Sequence, residues 1–170
     1  MASREQCTPT ELEQVMVRYG NTVYRLAYAQ MRSTADADDI YQEVFLRYFQ
    51  KRPQFESEEH RRAWLLRVTL NRVRTVFRSA WFRHTVPLED QVVFKEPEQV
   101  KLDDALGRLR NGERELLHLF YYEELSVREI GALLKRKEST VRTQLTRARR
   151  HLAEIMKGDT YVEESIQGYE

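Results

Sequence analysis

The sequence predicts an all-α protein of two small helical domains, joined by a flexible acidic linker, the second domain being a helix-turn-helix. Three observations carry this. Apolar residues recur at helical spacing along the chain, and no run alternates as a strand would. The periodicity vanishes from His84 to about Gln99, where Pro87, Pro97 and several acids stand. Ser126 to Leu152 reads as two helices joined by a tight basic turn. The expected bounds are 8–83 for the first domain, 84–99 for the linker, 100–157 for the second domain and 158–170 for an acidic, frayed tail.

Each element has its own signals. Thr8, Pro9 and Glu11 form a helix start, with a cap, a proline in the first turn and a glutamate three residues after the cap. Leu12, Val15, Met16, Tyr19, Val23, Leu26 and Ala27 continue it at helical spacing. Ser33 and Asp36 mark the next start, with Ile40, Val44, Phe45, Tyr48 and Phe49 as the buried side and Pro53 as the stop. After the loop QFESEEH, a long helix is expected from about Arg61 to Arg83, with Trp64, Leu65, Val68, Val73 and Phe77 inside. In the second domain a first helix carries Leu102, Leu106 and Leu109. Asn111 is placed to cap the next, which adds Leu116, Leu117 and Phe120 to the core.

Ser126 and Glu129 have capping-box spacing, and Val127, Ile130 and Leu134 give the following helix one apolar face. Gly131 lies beside that face, where the lack of a side chain lets a second helix approach. Lys135 to Lys137 interrupt the pattern. Val141, Leu145, Ala148, Leu152 and Ile155 begin another stripe, and Ser139, Thr143, Thr146, Arg147 and Arg150 point the opposite way, with Arg142 and Arg149 on the flanks. Between Glu138 and Glu154 this helix has no acid, whereas a merely solvated face normally mixes both signs. Arginine forks fit phosphates and guanine edges, and short hydroxyls bond phosphates without blocking close approach. The pattern suits a helix lying in the DNA major groove.

Composition bounds the remaining options. The chain has 170 residues, 41% of them hydrophobic, and a net charge of only +1. Bulk charge therefore announces no nucleic acid, but its distribution does. From His60 to Leu88 there is no acid, and Arg61, Arg62, Arg67, Arg72, Arg74, Arg78 and Arg83 all fall there. Acids collect over Asp36 to Glu43, Glu56 to Glu59 and Glu89 to Asp104, so at least two differently charged partner surfaces are implied. Cys7 is the sole cysteine, which fits a reducing cytosol, and neither a signal core nor a membrane-crossing run is present. A cytoplasmic protein is expected. The histidines, His60, His84, His118 and His151, are scattered and there is no Gly-rich phosphate loop, so neither an enzyme, a metal site nor a cofactor is expected.

A helical domain, an acidic linker and a helix-turn-helix domain in this order resemble an extracytoplasmic-function (ECF) sigma factor of the sigma-70 family. DADDIYQEVFLRYF (Asp36 to Phe49), RRAWLLRVTLNRVRTVFR (Arg61 to Arg78) and ELSVREIGALLKRKESTVRTQLTRARRHL (Glu124 to Leu152) carry the resemblance. It implies that the first motif docks on the β′ coiled coil of core RNA polymerase through Asp36, Asp39, Gln42 and Glu43. It implies that the second, with the preceding loop, melts and reads a promoter −10 element through Phe55, Ser57, His60, Arg61, Arg62, Arg67, Asn71, Arg74 and Arg78. The third would read a −35 element through Ser139, Thr140, Arg142, Thr143, Thr146, Arg147, Arg149 and Arg150. Implied partners are core polymerase (β′ coiled coil and β flap), promoter DNA and an anti-sigma factor. Three positions depart from the family pattern: Thr75 stands for a common aspartate, Arg110 for a common proline, and Lys137 occupies the cap position of the recognition helix, whose start is therefore expected to fray or move. A stand-alone helix-turn-helix regulator is the competing reading, but it needs one basic surface where this chain has two.

Overall fold

The computed structural model describes residues 9–83 and 97–167, all its regular elements being helices. The expected cap Thr8, the linker from His84 to residue 96 and residues 168–170 lie outside them. Contacts divide the chain into two compact units, Met1–Asp90 and Gln91–Glu170.

The first unit packs three helices on one another, α1 (Pro9–Met31), α2 (Thr34–Lys51) and α3 (Glu58–Arg83). Its core takes Val15, Tyr19, Val23 and Ala27 from α1, Ala37, Ile40, Val44, Phe45 and Tyr48 from α2, and Leu65, Val68 and Val73 from α3. Each large aliphatic side chain so buried contributes roughly 1.5–3 kcal/mol. Leu12, Met16, Phe49, Trp64 and Phe77 close the rim, partly buried. Ser33 caps α2 as its spacing predicts, its Oγ accepting from Asp36 N at 3.3 Å. Arg52 ends α2 with φ 47°, one residue before Pro53.

Helix α3 starts at Glu58, not near Arg61. Ser57 provides the cap: its Oγ accepts from His60 N at 3.1 Å and its carbonyl from Arg61 N at 3.1 Å. An acidic first turn suits the positive end of the helix dipole, so Glu58 and Glu59 join the helix although they read as loop.

In the second unit, α4 (Pro97–Arg108) leads to α5 (Asn111–Leu117), a π-helical turn (His118–Tyr122), α6 (Val127–Leu134) and α7 (Glu138–Gln167). Pro97, expected in the linker, opens α4, because a residue with fixed φ and no N–H suits a first helical turn. Asn111 is not the cap of α5. Arg110 holds that position with extended backbone (φ −66°, ψ 150°), and Glu113 reaches back to accept from Arg110 N at 3.2 Å. Asn111 Oδ1 accepts from Arg114 Nη2 at 2.6 Å instead.

Ala105, Leu109, Leu116, Leu117, Leu119, Ile130, Leu133, Val141, Leu145 and Ala148 form the interior of this unit. Leu119 is fully buried while the expected Phe120 is only partly so. The reason is the π turn, closed by Glu123 N on His118 O at 3.1 Å, whose wider ring shifts the helical phase. The tail expected to fray continues α7 as helical backbone to Gln167.

Candidate functional site

The helix-turn-helix is fixed by three local devices. Ser126 and Glu129 form the reciprocal capping box, with Glu129 N on Ser126 Oγ at 3.1 Å and Ser126 N on Glu129 Oε2 at 2.7 Å. Lys135 turns the chain with φ 56°, and Arg136 N bonds Gly131 O at 2.9 Å. A Cβ on Gly131 would lie 2.8 Å from Arg136 O, so it is the turn, more than the second helix, that approaches this glycine. Arg136 Nη1 then donates to Gln144 Oε1 at 3.0 Å, tying the turn to α7. Lys137 does not displace the start of α7, since its carbonyl accepts from Val141 N at 3.1 Å and the helix runs from Glu138.

Helix α7 buries Val141, Leu145 and Ala148 completely or nearly so. Ser139, Thr140, Arg142, Thr143, Thr146, Arg147, Arg149 and Arg150 are all exposed. Thr143 and Thr146 donate their hydroxyls to Ser139 O and Arg142 O, each at 3.0 Å, which leaves hydroxyl lone pairs and methyls to the outside. The four arginines differ. Arg142 pairs with Glu138 at 3.3 Å, one turn back. Arg149 lies against the π turn, its Nε donating to Tyr121 Oη at 2.7 Å. Arg147 and Arg150 have no ion pair among the described residues.

On the first unit, Phe55 is packed rather than open. Its ring stacks on Tyr48 (centroids 6.1 Å apart) and meets Trp64 and His60 edge-on, with the Arg61 guanidinium 5.4 Å above. Ser57 is taken up as a helix cap, and His60 stays exposed, with Nδ1 accepting from Glu56 N at 3.5 Å. Arg67, Asn71 and Arg78 are exposed along α3, Arg62 and Arg74 half-buried. Arg74 reaches Asn71 Oδ1 at 3.5 Å, and Thr75, where an acid is common, turns its hydroxyl onto Asn71 O at 2.9 Å.

A network centred on Glu58 holds this end of α3 to α1. Tyr19 donates to Glu58 Oε2 at 2.5 Å, and Arg18 and Arg61 stand at 3.5 and 3.0 Å from the carboxylate. The Tyr19 hydrogen bond, aided by the two guanidiniums, holds the Glu58 carboxyl below its ordinary range. Burial, with the hydrogen bond to Glu58, pushes the Tyr19 hydroxyl up. Sequence reading misses Arg18 and Tyr19 as neighbours of the loop, since partners 39 residues apart leave no local pattern. Tyr121, 28 residues from Arg149, is missed for the same reason.

On α2, Asp39, Gln42 and Glu43 are exposed and Asp36 is half-buried at the capped end. Asp39, Gln42 and Glu43 line one groove of about 500 Å³ with Leu12, Met16, Phe45, Leu46 and Phe49. An acidic rim thus borders an apolar floor, and Leu46 is 54% exposed. Glu43 is ion-paired to Arg72 of α3, which bonds Oε1 through Nη2 at 2.8 Å. No group of three metal-ligating side chains occurs among the described residues, and no described helix is long and apolar enough to cross a membrane.

Residues 15–83 match the Sigma-70 region 2 family and residues 99–152 the Sigma-70 region 4 family. The chain is similar to the ECF RNA polymerase sigma factor BldN of Streptomyces coelicolor, with 30% identity over 84% of this chain and 59% of that protein. It is equally similar to the ECF RNA polymerase sigma factor SigE of Mycolicibacterium smegmatis, with 30% identity over 91% of this chain and 65% of that protein. It thus spans about three-fifths of the length of these two relatives. The sigma factor RpoE of Bartonella quintana, solved in complex with the anti-sigma factor NepR, shares the fold with a TM-score of 0.72 at 20% identity, over 87% of this chain and 98% of that one. With region 2 and region 4 following one another over most of its length, the chain belongs to the sigma-70 family of RNA polymerase sigma factors, in its extracytoplasmic-function group.

Proposed function

We propose that the chain directs promoter-specific transcription initiation by binding core RNA polymerase and recognising −10 and −35 elements, with no catalysis of its own. The observation that carries this is the outer face of α7. Eight exposed hydroxyl and arginine side chains stand there with no acid between Glu138 and Glu154, on a helix whose other side is locked into the core. Arg147 and Arg150 are placed to read base edges in the major groove, while Arg142, Arg149, Ser139, Thr140, Thr143 and Thr146 hold the backbone.

The other two surfaces complete the reading. Arg67, Asn71, Arg74 and Arg78 present a basic face on α3 for the −10 region, with Arg61, Ser57 and His60 at its near end, while the half-buried Arg62 lies about 140° round the helix from Arg67 and stands off that face. Phe55 serves as the packed floor beneath them. Asp39, Gln42 and Glu43, with Asp36 at the helix start, rim the groove on α2 that receives the β′ coiled coil, and the second unit engages the β flap. An anti-sigma protein covering these faces is the remaining partner, and the site of action is cytoplasmic. A stand-alone regulator would have no use for the acidic groove.

The test is to add the purified chain to core polymerase and map transcript starts on genomic DNA. Discrete starts that core alone does not produce, sharing two upstream elements, are the expected result. Starts unchanged from core alone would overturn the proposal.

A further inference from the structure

Tyr121 is 55% exposed, yet its hydroxyl is engaged. It belongs to the π turn, and such turns are frequent at functional sites because they break the helical phase. Here the turn brings Phe120 and Tyr121, rings edge-to-face at 5.0 Å, to one guanidinium of α7. Arg149 Cζ lies 5.0 Å from the Phe120 centroid and 5.5 Å from that of Tyr121, so both rings attract its charge. Its Nε donates to Tyr121 Oη at 2.7 Å.

This geometry leaves a defined set of donors. With Nε used, the stem-side fork of the guanidinium is occupied and the two Nη groups at its far end remain. No acid among the described residues neutralises Arg149, in contrast to Arg142 with Glu138. Tyr121 Oη accepts from Arg149 and so keeps its own proton to donate. Two kinds of donor, one of them charged, therefore stand side by side at the exposed flank of the recognition helix.

Building on the DNA-binding reading above, we propose that Tyr121 and Arg149 form a clamp for a single DNA backbone phosphate. Arg149 grips it through its Nη groups, Tyr121 donates its hydroxyl, and Phe120 is the shelf that keeps the guanidinium in place. A tetrahedral anion with several acceptor oxygens matches this donor set, whereas a base edge presents a planar pattern. Because Arg149 is already immobilised in the free protein, binding has less side-chain freedom to remove. The clamp fixes the register of α7 on the duplex and reads no sequence.

The experiment measures equilibrium binding of the full chain with core polymerase to a promoter duplex mapped by its own transcripts, across a salt series. Tyr121→Phe keeps the ring and removes only the donor, and is expected to weaken binding roughly tenfold with an unchanged thermal midpoint. Arg149→Ala is expected to lower the log–log salt slope by about 1. Arg149→Lys, which keeps the charge and replaces Arg149→Ala should that variant not fold, is expected to retain the slope and lose affinity. Both losses should be equal across −35 sequence variants. A neutral methylphosphonate scanned through the −35 backbone should find one position that costs the wild type about tenfold or more and costs the Tyr121→Phe and Arg149→Ala variants clearly less. Wild-type affinity in Tyr121→Phe, or an affinity loss that follows only a lowered thermal midpoint, would make the pair an internal strut and overturn the clamp. Failure of the wild-type complex to bind any promoter would instead overturn the DNA reading itself, and the clamp with it.

Discussion

Replacing Gly131 by alanine should destabilise the second unit although it adds a good helix former. Gly131 sits inside α6 with ordinary helical backbone, so its need for hydrogen is steric. The added Cβ would be 2.8 Å from the carbonyl oxygen of Arg136, a backbone atom that cannot rotate away. The turn must shift by about half an ångström to relieve it, straining the 2.9 Å bond from Arg136 N to Gly131 O. Overpacking of this kind costs typically ~1–3 kcal/mol, against a propensity gain of roughly 1 kcal/mol. The net loss is about 1 kcal/mol, which lowers the melting temperature of a unit this size by roughly 4–8 °C. Gly112 is the internal control. It lies in α5, where an added Cβ would meet nothing within 4 Å, so Gly112→Ala should raise stability by about 0.5–1 kcal/mol. Thermal unfolding followed by far-UV circular dichroism reads both. Equal or parallel shifts in the two variants would refute the steric argument, because propensity alone predicts the same sign for each.

Asp39→Arg combined with Glu43→Arg should abolish core polymerase binding while helicity stays intact, like-charge contact costing several kcal/mol; undiminished retention on immobilised core would refute the docking assignment. Tyr19→Phe should lower the urea midpoint at pH 7, and the gap should shrink in acid. The Glu58 carboxyl is held low in the fold, so its contribution is complete above the ordinary carboxylate range and is lost as pH falls through the lowered value. A gap that is the same at pH 7 and pH 3 would contradict this. Lys135→Gly should stabilise the protein by about 1 kcal/mol, since a residue with a Cβ now holds the left-handed position at φ 56°; a lowered midpoint would count against it.

The helices are legible in the sequence where their signals are local. The Ser33 cap, the Ser126–Glu129 box, the Pro53 stop and the apolar stripe of α7 are each contained within a few residues, and each is found in place. Legibility fails where a residue type serves two roles. A proline marks a linker or a first turn, and Pro97 takes the turn; an asparagine is a favoured cap, but the backbone at Arg110 is the one that is extended. The π turn is invisible because nothing in HLFYY announces a wider hydrogen-bond ring, and so the exchange of Leu119 for Phe120 in the core cannot be read. The exposed side chains of α7 follow from periodicity, whereas which of its arginines are tethered does not. Glu138 is one turn from Arg142, but Tyr121 reaches Arg149 only through the tertiary fold.

The ion pair between Glu43 and Arg72 ties the groove proposed to receive polymerase to the helix proposed to meet DNA, although Arg72 itself is not among the residues proposed to contact the −10 element. Glu43 rims the groove on α2, and Arg72 belongs to the basic helix α3. A basic partner that captures Glu43 leaves Arg72 uncompensated and more attractive to a phosphate, and a phosphate that captures Arg72 leaves Glu43 more attractive to a basic partner. Thermodynamic reciprocity makes the two effects equal in free energy. Its size is bounded by the strength of the pair. With side chains 38% and 45% exposed, that is the surface value of about 0–1 kcal/mol, so each event can favour the other by at most about fivefold. On the proposed assignment of the groove to polymerase and of α3 to DNA, this pair supplies a weak cooperative link between the two events, requiring no change of shape, only an exchange of counter-charges.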